Sequence, residues 1–258
     1  MSPEQWSAYF LLFARFSALV AVMPVFAWQG VPVLSRIGFS ALLAFLLFSA
    51  TGREAELLST HFLLVVLAAA GEALFGLALG FLVILTFTAV RIAGQLLDLQ
   101  SGLLMSAVLD PQYGGQETAF GQFYHLFAIV LFLTLDAHHL LLAALARSVE
   151  LVPPGSVGMN PAALPTFFAL FSQMFIIAFQ LAAPVLIVLI LTDIALGLIS
   201  KTVPQLQVFV EGMPLKVGIA LLILYLTFPY FSQALEKLFY RLAGDVFLLF
   251  HLFRAPAG

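Results

Sequence analysis

Six ionisable residues, Arg15, Glu72, Arg91, Asp98, Asp136 and Asp193, lie inside apolar runs of this chain. A charge in such a setting costs about 2.5–3.5 kcal/mol on insertion scales, so it is expected to face a cavity or a partner. Metal binding and hydrolysis are the first chemistries to test. Asp136-Ala137-His138-His139 has the residue types for both, a carboxylate and two imidazoles. On a helix, Asp136 and His139 share a face, but adjacent histidines point to different sides, and two groups do not make a site. The chain has no His-Glu-x-x-His pair, no Gly-x-Ser-x-Gly elbow and no Gly-Lys-Ser/Thr loop. It has no Cys, which excludes thiolate ligands, a cysteine nucleophile and disulfides. The expectation is structural histidines, no enzyme, no metal and no cofactor.

The remaining charges point to contact chemistry. Glu72 lies on the helical face of Gly76 and Gly80, and Gly76-Leu77-Ala78-Leu79-Gly80 is a small-xxx-small pattern that permits close helix approach. This predicts a subunit or helix contact with Glu72 paired. Arg91, Gly94, Gln95, Asp98 and Gly102 form a polar and small stripe, with Gln100 beside it. Such a stripe either seals helix to helix through charge-assisted hydrogen bonds or lines a water-filled path.

The elements that must position these groups are hydrophobic helices. The chain of 258 residues is 63% hydrophobic and 9% charged, against about 45–50% and about 25% in a soluble domain. Its polar surface cannot cover a globule in water. Residues 6–28 begin and end on Trp6 and Trp28; 22 steps of about 1.5 Å span about 33 Å, close to a hydrocarbon core of about 30 Å. The two indoles fit interfacial belts or serve as ordinary packing residues, and Pro24 disturbs the last turn.

The run 37–50 is short for a span unless it borrows Val33 and Leu34, whereas 61–109 has no proline and is too long for one crossing. It either turns near Arg91 to Gln100 or projects beyond the bilayer. Further apolar stretches are 118–149, 166–200 with Pro184 inside, and 215–253 with Pro229 inside; 152–165 and 202–214 read as irregular. In the last stretch Lys237, Arg241 and Asp245 share one face, and Leu235, Leu238, Leu242, Val246 and Leu249 lie away from it. That pattern predicts an amphipathic end at an interface or against another protein.

No linker or charge block divides the chain, so 1–258 reads as a single domain. A net charge of −3 with no basic cluster leaves nucleic-acid binding without a footprint. A cleaved signal peptide is not expected after Met1-Ser2-Pro3-Glu4. Positive residues fall about one per loop and lean only slightly toward a cytoplasmic C-terminus.

Several stretches in order resemble the FliR/SctT family, the single-copy subunit of the type III secretion export gate of flagella and injectisomes. They are Pro32-Val33-Leu34-Ser35-Arg36-Ile37-Gly38, then Gln100-Ser101-Gly102, Asp110-Pro111-Gln112, Gly121-Gln122-Phe123 and Leu135-Asp136-Ala137-His138-His139. Val203-Pro204-Gln205-Leu206-Gln207-Val208-Phe209 and Gly212-Met213-Pro214-Leu215-Lys216 complete the series, with Gln207 and Met213 standing where the family more often has Asn and Phe.

The resemblance implies an all-α polytopic membrane protein of long, kinked helices and helical hairpins within a helical hetero-oligomeric gate. The implied partners are FliP/SctR-like and FliQ/SctS-like membrane subunits, FlhB/SctU-like and FlhA/SctV-like export components, the lipid bilayer and unfolded exported proteins. The implied place is the bacterial inner membrane at the flagellar basal body, with part of the assembly on the periplasmic side. Flagellar use is favoured over an injectisome because the motifs sit nearer that branch.

In the family, the loop matching Asp110, Pro111, Gln112, Tyr113, Gly114, Gly115 and Gln116, with its flanks, looks like the plug of the channel. Read from the residues alone, it is either that or an ordinary turn. Asp110-Pro111 favours an extended entry, and Gly114-Gly115 lets the backbone move. Met105, Val108, Leu109, Tyr113 and Phe120 supply apolar groups able to block ions and yield to a polypeptide. A secondary transporter would show matching broken helices in two halves, and Pro24 and Pro184 do not correspond.

Overall fold

The computed structural model describes residues 3–24, 26, 31–51, 62–104, 118–158, 160–202 and 208–253. Among them run helices α1 Pro3–Val22, α2 Val33–Thr51, α3 Phe62–Ser101, α4 Ala119–Thr134, α5 Ala137–Leu151, α6 Ala163–Thr202 and α7 Val208–Phe253. Five of these, α1, α2, α3, α6 and α7, are long and apolar enough to cross a membrane, and α4 with α5 passes as a broken pair. The all-helical, polytopic expectation is met.

The helix ends follow local chemistry. Helix α2 does begin at Val33, extending the short apolar run to 19 residues. Helix α3 does not turn between Arg91 and Gln100: it is continuous for 40 residues, about 60 Å at 1.5 Å per residue and so about twice a hydrocarbon core. With no proline from 62 to 101, nothing interrupts its hydrogen-bond ladder. Helix α6 continues through Pro184. The stretch expected to be irregular up to Pro214 is helical from Val208, with Pro214 and Pro229 both inside α7.

Leu135 and Asp136 divide α4 from α5 without a glycine or proline. Asp136 takes φ 54°, the only positive φ outside glycine among the described residues. This left-handed conformation costs a residue with a Cβ about 1–2 kcal/mol, tolerated best by Asn and Asp.

Contacts divide the chain into two units, and α3, α6 and α7 each supply residues to both. Unit 1 comprises Met1–Thr86, Asp136–Phe171 and Phe239–Gly258; unit 2 comprises Phe87–Leu135 and Ser172–Leu238. In unit 1, Leu11, Leu12, Phe16 and Leu19 of α1 are buried with Phe75 and Leu79 of α3. The Phe75 ring lies 5.2 Å from that of Phe253, and the connection after α5 bonds to the end of α7 through Gly158 N–H to the Phe253 carbonyl. In unit 2, the Phe87 and Phe132 rings are 5.4 Å apart, and Tyr124 lies 4.2 Å from Phe231.

The apolar residues of the amphipathic end, Leu235, Leu238, Leu242, Val246 and Leu249, are all buried within this chain. Another protein is therefore not needed to cover them. By contrast, α6 exposes Phe168, Phe179, Ile187, Leu191, Ile194 and Leu198 along its length.

Candidate functional site

Each unit contains one centre built around a buried charge. In unit 1, Arg15 of α1 and Glu72 of α3 are both 0% exposed and paired, Nε to Oε2, at 2.6 Å. The guanidinium also donates to the Ser148 carbonyl and hydroxyl, both at 3.2 Å, and to the Val152 carbonyl at 2.9 Å. Its face lies 4.8 Å from the centre of the Phe75 ring. The second Glu72 oxygen accepts the Gly155 N–H at 2.8 Å. Planar guanidinium and carboxylate thus bind α1, α3, α5 and the turn after α5 with their polar atoms satisfied, which a buried ion pair requires.

Gly76 and Gly80 serve the same contact. A Cβ on Gly76 would strike the Arg15 carbonyl oxygen, and one on Gly80 would meet Val22 at 3.3 Å. The expected pairing of Glu72 at a close helix contact is present, between α3 and α1 of one chain. Arg15 and its partners are 57 to 137 residues apart in sequence; opposite sign inside two apolar runs is the one signal that links Arg15 to Glu72.

In unit 2, Asp98 is 0% exposed, and among the described residues its carboxylate has no cation. One oxygen accepts the Phe120 N–H at 3.0 Å and the other the Gly121 N–H at 2.9 Å. These are the second and third amides of α4, the pair that a helix cap satisfies. Thr118 stands at the cap position yet makes no capping bond, and its buried hydroxyl has no partner among the described residues. Asp98 caps α4 from another helix, and its charge also favours the positive helix end.

Gly94 makes this approach possible, since a Cβ there would strike the Phe120 carbonyl oxygen. Of the predicted stripe, Gly94, Gln95 and Asp98 therefore meet α4. Arg91 departs from it and is exposed. Gln100 donates to Asp193 of α6 at 2.7 Å, and the other Asp193 oxygen pairs with Lys216 of α7 at 2.7 Å. Gly102, at φ 87°, ends α3 against Met213, 3.2 Å from a Cβ built there. Sequence reading singled out Asp193 without finding Lys216.

These contacts hold the described residues on either side of 105–117. Leu104 follows α3, which is tied to α6 and α7, and Thr118 precedes α4, which Asp98 ties back to α3. Met105, Leu109, Asp110, Pro111, Gln112, Tyr113, Gly114, Gly115 and Gln116, all predicted site residues, lie outside the described residues. Phe120 is described, and it is buried in the first turn of α4.

The histidines depart from expectation. Their rings are 4.1 Å apart, not on different sides of the helix, and His139 Nδ1 lies 3.3 Å from Asp136 Oδ1. The left-handed Asp136 immediately before α5 brings its carboxylate back over the first turn.

A model of the bacterial export proteins, family 1, matches residues 6–242. The chain is similar to flagellar biosynthetic protein FliR of Bacillus subtilis (strain 168), 40% identical over 231 residues covering 86% of each chain. It is 28% identical to the protein of that name in Escherichia coli (strain K12), covering 95% of this chain and 96% of the relative. It is also 34% identical to Yop proteins translocation protein T of Yersinia pestis, covering 84% of each.

Proposed function

We propose, from the premise that this chain belongs to the bacterial export proteins of family 1, the FliR/SctT family, that it is an export-gate subunit in flagellum assembly. It forms part of a type III export apparatus complex in the membrane. In that complex it contacts FliP/SctR-like and FliQ/SctS-like subunits, with FlhB/SctU-like and FlhA/SctV-like components nearby, in the inner membrane at the basal body and partly on the periplasmic side. Residues 1–258 act as one functional domain. Energy for export is supplied elsewhere, so the role requires no catalytic residue in this chain. The alternative of the same role in an injectisome rests on the similarity to the Yersinia protein.

One observation carries the assignment of the gate: Asp98 satisfies the amides of Phe120 and Gly121. A segment able to yield to a polypeptide needs fixed ends, because a plug on loose helices would leak whenever its base moved. Met105 to Gln116, with Phe120 at the base, forms the plug in this reading; Glu72, Gly76, Gly80, Arg91, Asp98, Gln100 and Gly102 hold helices or subunits.

The absence of native cysteine permits a direct test. Tyr113→Cys in the assembled complex is expected to crosslink to a stalled export substrate. If a cysteine in a neighbouring channel subunit reacts with that substrate and Tyr113→Cys does not, the plug is elsewhere.

A further inference from the structure

We propose that Asp136, His138 and His139 form a divalent transition-metal site at the break between α4 and α5. Among the described residues this trio can bring one ligand atom from each side chain within 4.8 Å of the other two. His139 Nδ1 and Asp136 Oδ1 are 3.3 Å apart. Two ligand atoms at about 2.0–2.1 Å from a zinc ion, subtending a tetrahedral angle, stand about 3.3 Å apart. That edge of the site is therefore already at bonding separation. Asp136 and His139 are largely exposed, 73% and 67%, so side-chain rotation can close the wider edges without repacking a core.

Two further observations converge on the trio. The left-handed backbone of Asp136 is the strained position of the described chain, and such strain collects where a side chain must be held in place. Glycine would fit φ 54° without strain, yet a carboxylate stands there. The Nδ1 atom of His138 is buried and has no hydrogen-bond partner among the described residues, although an imidazole nitrogen left in that state is costly. The His138 and His139 ring centroids lie 4.1 Å apart with the planes tilted by 36°, so both imidazoles stand beside the same space.

Donor type selects the ion. Two imidazoles and one carboxylate suit zinc, cobalt, nickel or copper, and are a poor set for calcium or magnesium, which take oxygen ligands. Three protein ligands leave a coordination position for water or for a side chain from a neighbouring subunit. An ion there would join the residue that turns the chain to the first turn of α5.

The test uses the full chain purified with its partner subunits, free of any histidine tag and stripped of metal. Cobalt(II) titration is expected to give one ion per chain with the visible absorption of a low-coordinate site, displaced by zinc. A His138→Gln/His139→Gln double variant should lose affinity by more than the roughly 10–100-fold that losing an outer-shell partner costs. Asp136→Gly relieves the strained φ, so it should fold at least as well as the parent while binding the ion weakly. His251→Gln should bind as the parent does. Absence of stoichiometric cobalt binding overturns the proposal, as does equal binding by the parent, the double variant and Asp136→Gly.

Discussion

The two units bury a carboxylate in opposite ways. Glu72 in unit 1 meets a guanidinium that is itself fully bonded, so four chain segments close on one charge pair. Asp98 in unit 2 meets two backbone amides and, among the described residues, no cation. In unit 1 the charges are neutralised and the contact is a lock. In unit 2 the partner is the end of a helix, so the bond persists only while α4 stays in place. In the proposed reading the second contact fixes the base of the plug, and the first locks the helices of unit 1 together.

The largest effect should come from breaking the lock. Arg15→Ala or Glu72→Ala leaves one buried charge unpaired and should destabilise the chain by about 3–5 kcal/mol. It would be seen as loss of the protein from the membrane and a lower unfolding temperature in detergent. Arg15→Met combined with Glu72→Leu should restore most of that loss, since apolar replacement of a buried pair is often neutral. If the double variant is as unstable as the singles, the centre does more than pack.

An intermediate effect is expected at Asp98. Asp98→Ala removes two charge-assisted bonds and frees the start of α4 but, unlike the single variants of the lock, leaves no buried charge unpaired, so its cost should be smaller. The complex should still assemble but leak ions, as should a complex lacking residues 112–116. Loss of assembly without leakage in Asp98→Ala would make the second contact a lock as well. The smallest effect belongs to Asp193→Asn or Lys216→Met, because Asp193 is 41% exposed and neither change strands a fully buried charge. Conductance of the resting complex should change less than for Asp98→Ala.

Sequence reading recovered what is local and missed what is assembled. The face carrying Glu72, Gly76 and Gly80 is set by helical periodicity alone, and the stripe at Gly94 and Asp98 likewise. Arg15 with Ser148 and Val152, or Asp193 with Lys216, needs the tertiary structure, because no periodicity connects residues on different helices. Thr118 holds the cap position of α4 in the structure, yet Asp98 of α3 supplies the capping bonds, which no local pattern announces. The break at Asp136 has no glycine or proline to announce it, and the two histidines meet only because of that break. Conversely, Pro214 reads as a helix stop, yet α7 continues through it at the cost of one backbone hydrogen bond.

The exposed row on α6, from Phe168 to Leu198, has a consequence for the life of the protein before assembly. A newly synthesised copy that has not met its neighbours displays this row to whatever surrounds it. Aggregation and proteolysis act on such surfaces, so orphan copies should be short-lived. The cell's steady amount of this subunit would then follow the supply of neighbours and not its own rate of synthesis.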